Sequence, residues 1–323
     1  MTVATGGRLN GTTNLGTASV TVADGQTLTL SAAQADAVTI GSSGGGTNDG
    51  SVVITAVTGS EDLTDISSGS GSISATLATG SDISSAALGN VSVLGLENDA
   101  SSSMIIAQHA LVTSGVGNNQ IILTDAGTLS GTTFIESYQL ANGVNTFTTS
   151  SNGNTVVGGN DVDNLNGAGA VDDLRGGEGD DVISAGAGAD SITGGTGADN
   201  LTGGDGADIF KFVSGDTDVV SPSDIIADFS TLDGDQISIG ETVGNITIAD
   251  GELLVLPTFK TAATEAFDGT GADVYIAYNV SGLGDALIAV DTSGDGSFGA
   301  GDLLIKLLNV DGSDDILSGD IIA

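Results

Sequence analysis

Between Gly158 and Phe212 a nine-residue unit recurs six times in uninterrupted register, and this run restricts the fold more than any other feature of the chain. Three units, Gly176 to Ser184, Gly194 to Thr202 and Gly203 to Lys211, read Gly-Gly-x-Gly-x-Asp-x-apolar-x without a mismatch. The apolar place holds Leu165, Leu174, Ile183, Ile192, Leu201 and Phe210. Such a residue can point inward from a short strand, while the Gly-rich hexad before it turns through backbone angles that only glycine adopts cheaply. Two units then close one flattened coil, and coils stack into a parallel β-roll. A flexible Gly/Asp-rich linker would not need an apolar residue at the eighth place of every unit.

The sixth place is always an aspartate: Asp163, Asp172, Asp181, Asp190, Asp199 and Asp208. Residues eighteen apart fall on the same edge of a two-unit coil, so 163, 181 and 199 line one edge and 172, 190 and 208 the other. Carboxylate and turn-carbonyl oxygens of neighbouring coils are the hard ligands that Ca²⁺ prefers. The stacked pairs predict roughly four shared ions. Asp161 in the first unit, Gly167-Ala168-Gly169-Ala170 in the second and Ala185 in the fourth depart from the pattern, and those coils are expected to bind calcium less tightly.

These units resemble the RTX repeat of bacterial exported proteins, a parallel β-roll that folds on calcium. The resemblance implies type I export, in which secretion machinery reads an uncleaved C-terminal signal and passes the chain out unfolded, to fold in extracellular calcium. The first thirty residues have neither a basic n-region nor a continuous apolar h-region, so no cleaved leader is expected. No segment reaches the roughly eighteen apolar residues of a membrane span. The apolar end Ile316 to Ala323 reads either as part of the signal or as a last strand.

The formal charge is −37, from 42 acidic residues against Arg8, Arg175, Lys211, Lys260 and Lys306, and 31 of the acids lie from Val157 onward. Such a surface repels nucleic acid and anionic bilayers, leaving cations as the implied partners. Cysteine is absent, which removes disulfides and thiolate metal sites. Aromatic residues are 3% and Trp is absent, which suits thin stacked β architecture better than a large core.

Upstream, short runs such as Thr27 to Leu30, Ser51 to Ile54, Val91 to Leu94 and Gln120 to Leu123 are broken by Gly, Asn, Asp and Ser, as in all-β folds. Leu28 to Ala35 is echoed by Met104 to Ala110, which suggests an internal repeat. The nine-residue beat also runs backward, placing Asn154, Asn145 and Glu136 at the Asp position and Val156, Phe147 and Tyr138 at the apolar one. This region resembles the low-aromatic β-repeat parts of surface-layer and large secreted RTX proteins. Its Thr and Ser faces also suit ice or sugar, although Thr is simply a good strand former.

Behind the repeats, Asp224 to Phe229 and Asp233 to Ile239 are similar to the Asp-x-Ile-x-Asp-Phe segment that closes RTX rolls, with Asp228, Asp233 and Asp235 as candidates for a last ion. Asp291 to Asp302 has the spacing of a twelve-residue calcium loop, with ligand places at Asp291, Ser293, Asp295, Ser297 and Asp302 and glycine at the sixth place. Its flanks read as strands, so an EF-like loop in a β context competes with a plain hairpin turn.

No catalytic constellation is legible. One histidine, His109, cannot build the zinc site of the metalloproteases that carry similar C-terminal regions. Gly41-Ser42-Ser43-Gly44-Gly45 matches the lipase elbow in letters but lacks the following helix.

The expected fold class is all-β: a parallel β-roll or β-solenoid with a C-terminal β domain. Residues 1–130 form a solenoid-like N-terminal region, 131–157 degenerate coils, 158–212 the calcium roll, and 213–323 a cap and β domain carrying the secretion signal. The expected protein is a secreted, non-enzymatic, Ca²⁺-binding structural element of a surface layer or matrix, which self-assembles and has cell-surface polysaccharide as a candidate partner. An adhesin or ligand-binding module for glycan, host surface or ice is the alternative.

Overall fold

The computed structural model describes residues 2–3, 7–8, 19–22, 26–35, 39–42, 51–58, 73–86, 88, 91–216, 224–240, 243–249, 256–268, 272–278, 285–310, 316 and 319–322. Ser43, Gly44 and Gly45 of the elbow-like run, and Leu317, Ser318 and Ala323 of the apolar end, lie outside the described residues. The chain is nearly all β, and its parallel sheets form a β-solenoid. It divides into two compact units, residues 1–125 with 134–139, and residues 126–133 with 140–323.

In the second unit the register exposes the coil directly. On one face Thr146 pairs with Asn164, Asn164 with Val182 and Val182 with Asn200, steps of eighteen residues. On the other, Thr155 pairs with Asp173, Asp173 with Ser191 and Ser191 with Ile209. Each of these pairings is parallel, as stacking one coil on the next requires.

The period places the apolar residues above one another. Phe147, Leu165, Ile183, Leu201 and Ile226 form one stack and Val156, Leu174, Ile192, Phe210 and Ile237 the other, all at 0% exposure. Truncating one member leaves a cavity between two coils that cannot close without breaking register. Ile192→Ala is expected to lower the stability of the calcium-loaded protein by about 2–5 kcal/mol, measured as a shift in denaturant midpoint at constant slope.

From Asp173 to Asp205 the strands also pair more of the backbone than their neighbours. Thr155–Val157 has 3 residues, whereas Asp173–Glu178, Val182–Ala187, Ser191–Thr196 and Asn200–Asp205 have 6 each. The extra residues belong to the hexads, where Gly177 pairs with Gly195 and Gly186 with Gly204. Gly195 and Gly197 take φ of +106° and +146°, a region L side chains rarely enter. A Cβ on Gly195 would collide with the Gly177 carbonyl of the coil below. In the imperfect first unit, Gly159 and Asp161 stay out of that region.

After Lys211 the coil lengthens: Asn200 pairs with Ile225 and Ile209 with Gln236. Leu303–Leu307 then adds in parallel to Asp224–Ile226, and Ile321–Ile322 adds to Gln236–Ser238, so this part of the apolar end is a strand. Ala286–Asp291 is antiparallel to Leu303–Leu307 and to Ala272–Tyr278, which runs parallel to Val243–Ala249. Between those last two lies an 11-residue helix, Leu256–Ala266, where the sequence reading placed only β structure. Pro257 sits in its first turn, where a missing N–H costs nothing. Ala263, Ala262 and Ala266 pack on a cluster of Phe267, Tyr275, Ala277, Leu287, Ala289 and Leu304. Small side chains let the helix lie close to the sheet, and they carry little of the hydrophobic contrast that marks a helix in sequence.

In the first unit, Thr27–Ser31, Ser51–Val57, Ile73–Leu77, Val93–Leu96 and Val112–Ser114 form one parallel set, and Ser81–Asp82, Ser101–Met104, Gln120–Leu123 and Ser137–Gln139 another. The steps vary along the chain: Gly7 to Leu28 is 21 residues, Thr27 to Ser51 is 24, Val52 to Ile73 is 21, Ser74 to Val93 is 19 and Gln120 to Ser137 is 17. The echo between Leu28 to Ala35 and Met104 to Ala110 is a repeated corner. Each strand runs into a one-turn helix, Ala32–Ala35 or Ile106–His109, whose glutamine accepts from the backbone N–H three residues earlier, Ser31 to Gln34 Oε1 and Ile105 to Gln108 Oε1 at 3.0 Å each. His109 is 3% exposed, lies 3.1 Å from the Tyr138 hydroxyl, and burial depresses its pKa to about 4.

Candidate metal centre

The six repeat aspartates are buried, at 0 or 1% exposure, although among the described residues no salt bridge reaches them. The stacking turns them into two ladders. On one edge the backbone N–H of Asp163 donates to Asp181 Oδ1 at 2.7 Å, that of Asp181 to Asp199 Oδ1 at 2.8 Å, and that of Asp199 to Asp224 Oδ1 at 3.0 Å. On the other, Asp172 donates to Asp190 at 2.7 Å, Asp190 to Asp208 at 2.8 Å and Asp208 to Asp235 at 3.0 Å. One oxygen of each carboxylate is thereby consumed in holding the coil beneath it.

The other oxygen is the informative one. Oδ2 of Asp181, Asp190, Asp199, Asp208 and Asp224 is buried and has no hydrogen-bond partner. A buried carboxylate oxygen left in that state costs several kcal/mol unless a cation or proton meets it. Three of these oxygens, those of Asp181, Asp199 and Asp208, lie beside turn backbone. A Cβ on Gly176 would strike both Asp181 Oδ2 and the Gly194 carbonyl of the next coil, and one on Gly194 or Gly203 would strike Oδ2 of Asp199 or Asp208. At Gly176 a carboxylate oxygen and a carbonyl oxygen of the next coil therefore converge where a side chain has no room. This oxygen-only set fits a hard divalent cation and offers nothing to a thiophilic one.

The electrostatics agree. Burial raises the carboxyl of Asp181 to about 7, those of Asp190, Asp199 and Asp235 to about 6, and that of Asp224 to about 8; neighbouring carboxylates add to each shift. Asp172 and Asp208 are raised for the same first reason. A cation at the orphaned oxygens would reverse that repulsion, and Asp181, Asp190, Asp199, Asp208 and Asp224, with hexad carbonyls, are the residues that would hold it.

Asp224 escaped the sequence reading. Its rung comes 25 residues after Asp199 instead of 18, so the nine-residue beat does not find it. The signal was the apolar Ile226 that completes the inner stack two residues later. Asp216 is a further buried acid of this region, raised by burial, and its charge acts on both Asp199 and Asp224.

The structure separates the three acids assigned to a last ion. Asp235 is a ladder rung whose Oδ2 accepts from Ser230 N–H at 2.8 Å. Asp228 clamps the last repeat by accepting from Gly203 and Gly204 N–H at 2.9 and 2.8 Å, and Asp233 is exposed on the intervening turn. Among the described residues, no three His, Cys, Asp or Glu side chains gather as a metal cluster.

The loop from Asp291 to Asp302 connects antiparallel strands in which Val290 faces Leu303. Asp291 accepts from Ser293 Oγ and from the N–H groups of Gly294, Asp295 and Gly296. Asp302 accepts from Ser293 and Gly299 N–H, while Asp295 is exposed and bonded to Ser297. Both Asp291 oxygens are thus committed to the loop's own backbone.

A family model described as the RTX calcium-binding nonapeptide repeat matches residues 148–183 and 175–210. No curated protein matches the chain. RTX repeats are typical of exported proteins, and rolls of this type belong typically to non-enzymatic structural or toxin-like proteins. Among the described residues no helix is long and apolar enough to cross a membrane. With the two ladders on the same segment, residues 148–210 are a run of RTX calcium-binding nonapeptide repeats, and such repeats bind Ca²⁺.

Proposed function

We propose that this is an exported structural protein of a bacterial surface layer or extracellular matrix, folded by external calcium and assembled through it. The observation that carries the reading is the pair of carboxylate ladders with buried, partnerless Oδ2 atoms, which makes the roll depend on an ion abundant outside cells and scarce within. Export through type I machinery follows from that dependence, since a chain without calcium stays loose enough to be threaded. The single histidine, His109, is buried against Tyr138.

Assembly is inferred from the surface. Asp161, Glu178, Asp180 and Asp205 are exposed on the hexad turns, so acidic residues repeat along the edges outside the ladders. With a formal charge of −37, two molecules repel until cations bridge them. Polysaccharide at the cell surface, itself acidic in many envelopes, is a partner that calcium can bridge in the same way.

Light scattering of metal-free protein, titrated with calcium into the millimolar range and followed by electron microscopy, tests this reading. Growth into ordered sheets or filaments is the expected result. A calcium-loaded protein that stays monomeric at high concentration would sink the structural role and leave calcium as a folding switch only.

A further inference from the structure

The unsatisfied oxygens start abruptly. Asp163 and Asp172, the first rungs, have both oxygens bonded, whereas Asp181 and Asp190, one coil later, each leave Oδ2 without a partner. Backbone N–H groups of Gly159 and Ala168 reach Oδ2 of Asp163 and Asp172 at 2.8 and 3.4 Å, and two upstream side chains add donors that the later rungs lack. Asn145 is 2% exposed and stands where the later coils have aspartate; its carboxamide Nδ2 donates to the turn carbonyls of Ala141 and Gly143 at 2.8 Å each and to Asp163 Oδ1 at 2.9 Å. Gly159 N–H, at 2.8 Å, completes Asp163. On the other edge the Thr149 hydroxyl, 6% exposed, donates to Asp172 Oδ2 at 3.0 Å.

Neither donor recurs. Eighteen residues after Asn145 stands Asp163, which has no side-chain donor, and eighteen after Thr149 stands Gly167, which has no side chain. The Asn145 amide therefore gathers two turn carbonyls and a carboxylate around an N–H₂ group, the same kinds of oxygen that converge without a donor in the coils that follow. We infer that Asn145 and Thr149 determine where metal dependence starts: they seal the upstream ends of the two ladders in place of a cation, so that calcium is required from Asp181 and Asp190 onward while the coils before them hold without it. The sealed coils then offer a preformed edge on which the calcium coils stack. This inference rests on the calcium reading of the roll.

The seal predicts a gain of function. Asn145→Asp exchanges the amide for a second carboxylate beside Asp163, facing the Ala141 and Gly143 carbonyls, and makes that turn like its successors. Bound calcium per chain, measured by equilibrium dialysis with elemental analysis, is expected to rise by one ion relative to wild type. Exposed Asn152→Asp adds the same charge and is expected to add none. Thr149→Gly, which gives the place the residue of the next coil, is expected to make protection around Asp172 calcium-dependent. Hydrogen exchange on wild-type protein stripped of metal supplies a readout that needs no variant: amides of 140–157 remain protected while those of 176–212 exchange. An unchanged calcium count in Asn145→Asp overturns the inference, as does loss of protection across 140–157 together with 176–212. A wild-type chain that binds no calcium overturns the calcium reading and this inference with it.

Discussion

Removing calcium is expected to unfold the coils from about Gly176 to Ser238, with loss of most of the β signal from that stretch in far-ultraviolet circular dichroism, and returning calcium is expected to restore it in a cooperative step. Mass action sets the size. An ion present at a hundred times its dissociation constant contributes about 2.7 kcal/mol per site, so three such sites contribute about 8 kcal/mol. The whole stability of a domain is about 5–15 kcal/mol. Five orphaned carboxylate oxygens are spread over the two ladders, and no lysine or arginine salt bridge reaches any of them among the described residues. Magnesium should restore little, because it demands tight octahedral geometry and gives up its waters reluctantly. A spectrum that does not change after exhaustive metal removal would mean that packing of the inner stacks alone carries the roll.

How far the sequence predicted this arrangement depended on whether a residue obeyed the nine-residue beat. Leu165, Leu174, Ile183, Ile192, Leu201 and Phe210 obeyed it, and so did Val156 and Phe147 upstream, so the coil length, the parallel pairing and the two inner stacks were readable before any coordinates. Asp224 was missed because the intervening chain from Val213 to Ser223 breaks the count while the register resumes behind it. The first unit was readable only as short strands, since its steps of 24, 21, 19 and 17 residues leave no fixed period to detect. The helix Leu256–Ala266 announced itself weakly, with a proline at its start and alanines on its buried face. Sequence also could not tell which carboxylates would be satisfied. Asp163 and Asp181 occupy the same place in their units, yet Gly159 N–H reaches Oδ2 of Asp163 while Oδ2 of Asp181 has no partner, and the side-chain donor on Asp163, Asn145, is a neighbour only after the coils have stacked.

The metal-free roll is expected to gain stability as pH falls from 8 to 5, opposite to the behaviour of ordinary paired carboxylates. Asp181, Asp190, Asp199, Asp224 and Asp235 have folded-state values between about 6 and about 8, all above the usual carboxylate range because they are buried beside one another. The folded state therefore binds protons more tightly than the unfolded chain, and this contribution is fully present below the unfolded value and lost as pH rises through the folded ones. In saturating calcium the dependence reverses: the ion needs the charged carboxylates, so acidification through pH 6 expels it and lowers the melting temperature. The two curves of melting temperature against pH should converge on the acid side. His109 has the opposite shift, depressed by burial, so in the first unit it stabilises above about pH 6.5 and loses that contribution as pH falls toward 4. General relief of the charge of −37 would also favour the acid form, and variants separate the two causes. Asp181→Asn with Asp199→Asn and Asp224→Asn fixes three rungs in an uncharged state: the metal-free protein should become more stable at pH 8, flatter in its pH dependence and less responsive to calcium. If the triple variant keeps the wild-type slope, the ladders do not set the pH response and overall charge does. The experiment is best run on protein stripped by resin, because soluble chelators lose their grip on calcium over the same pH range in which the ladders take up protons.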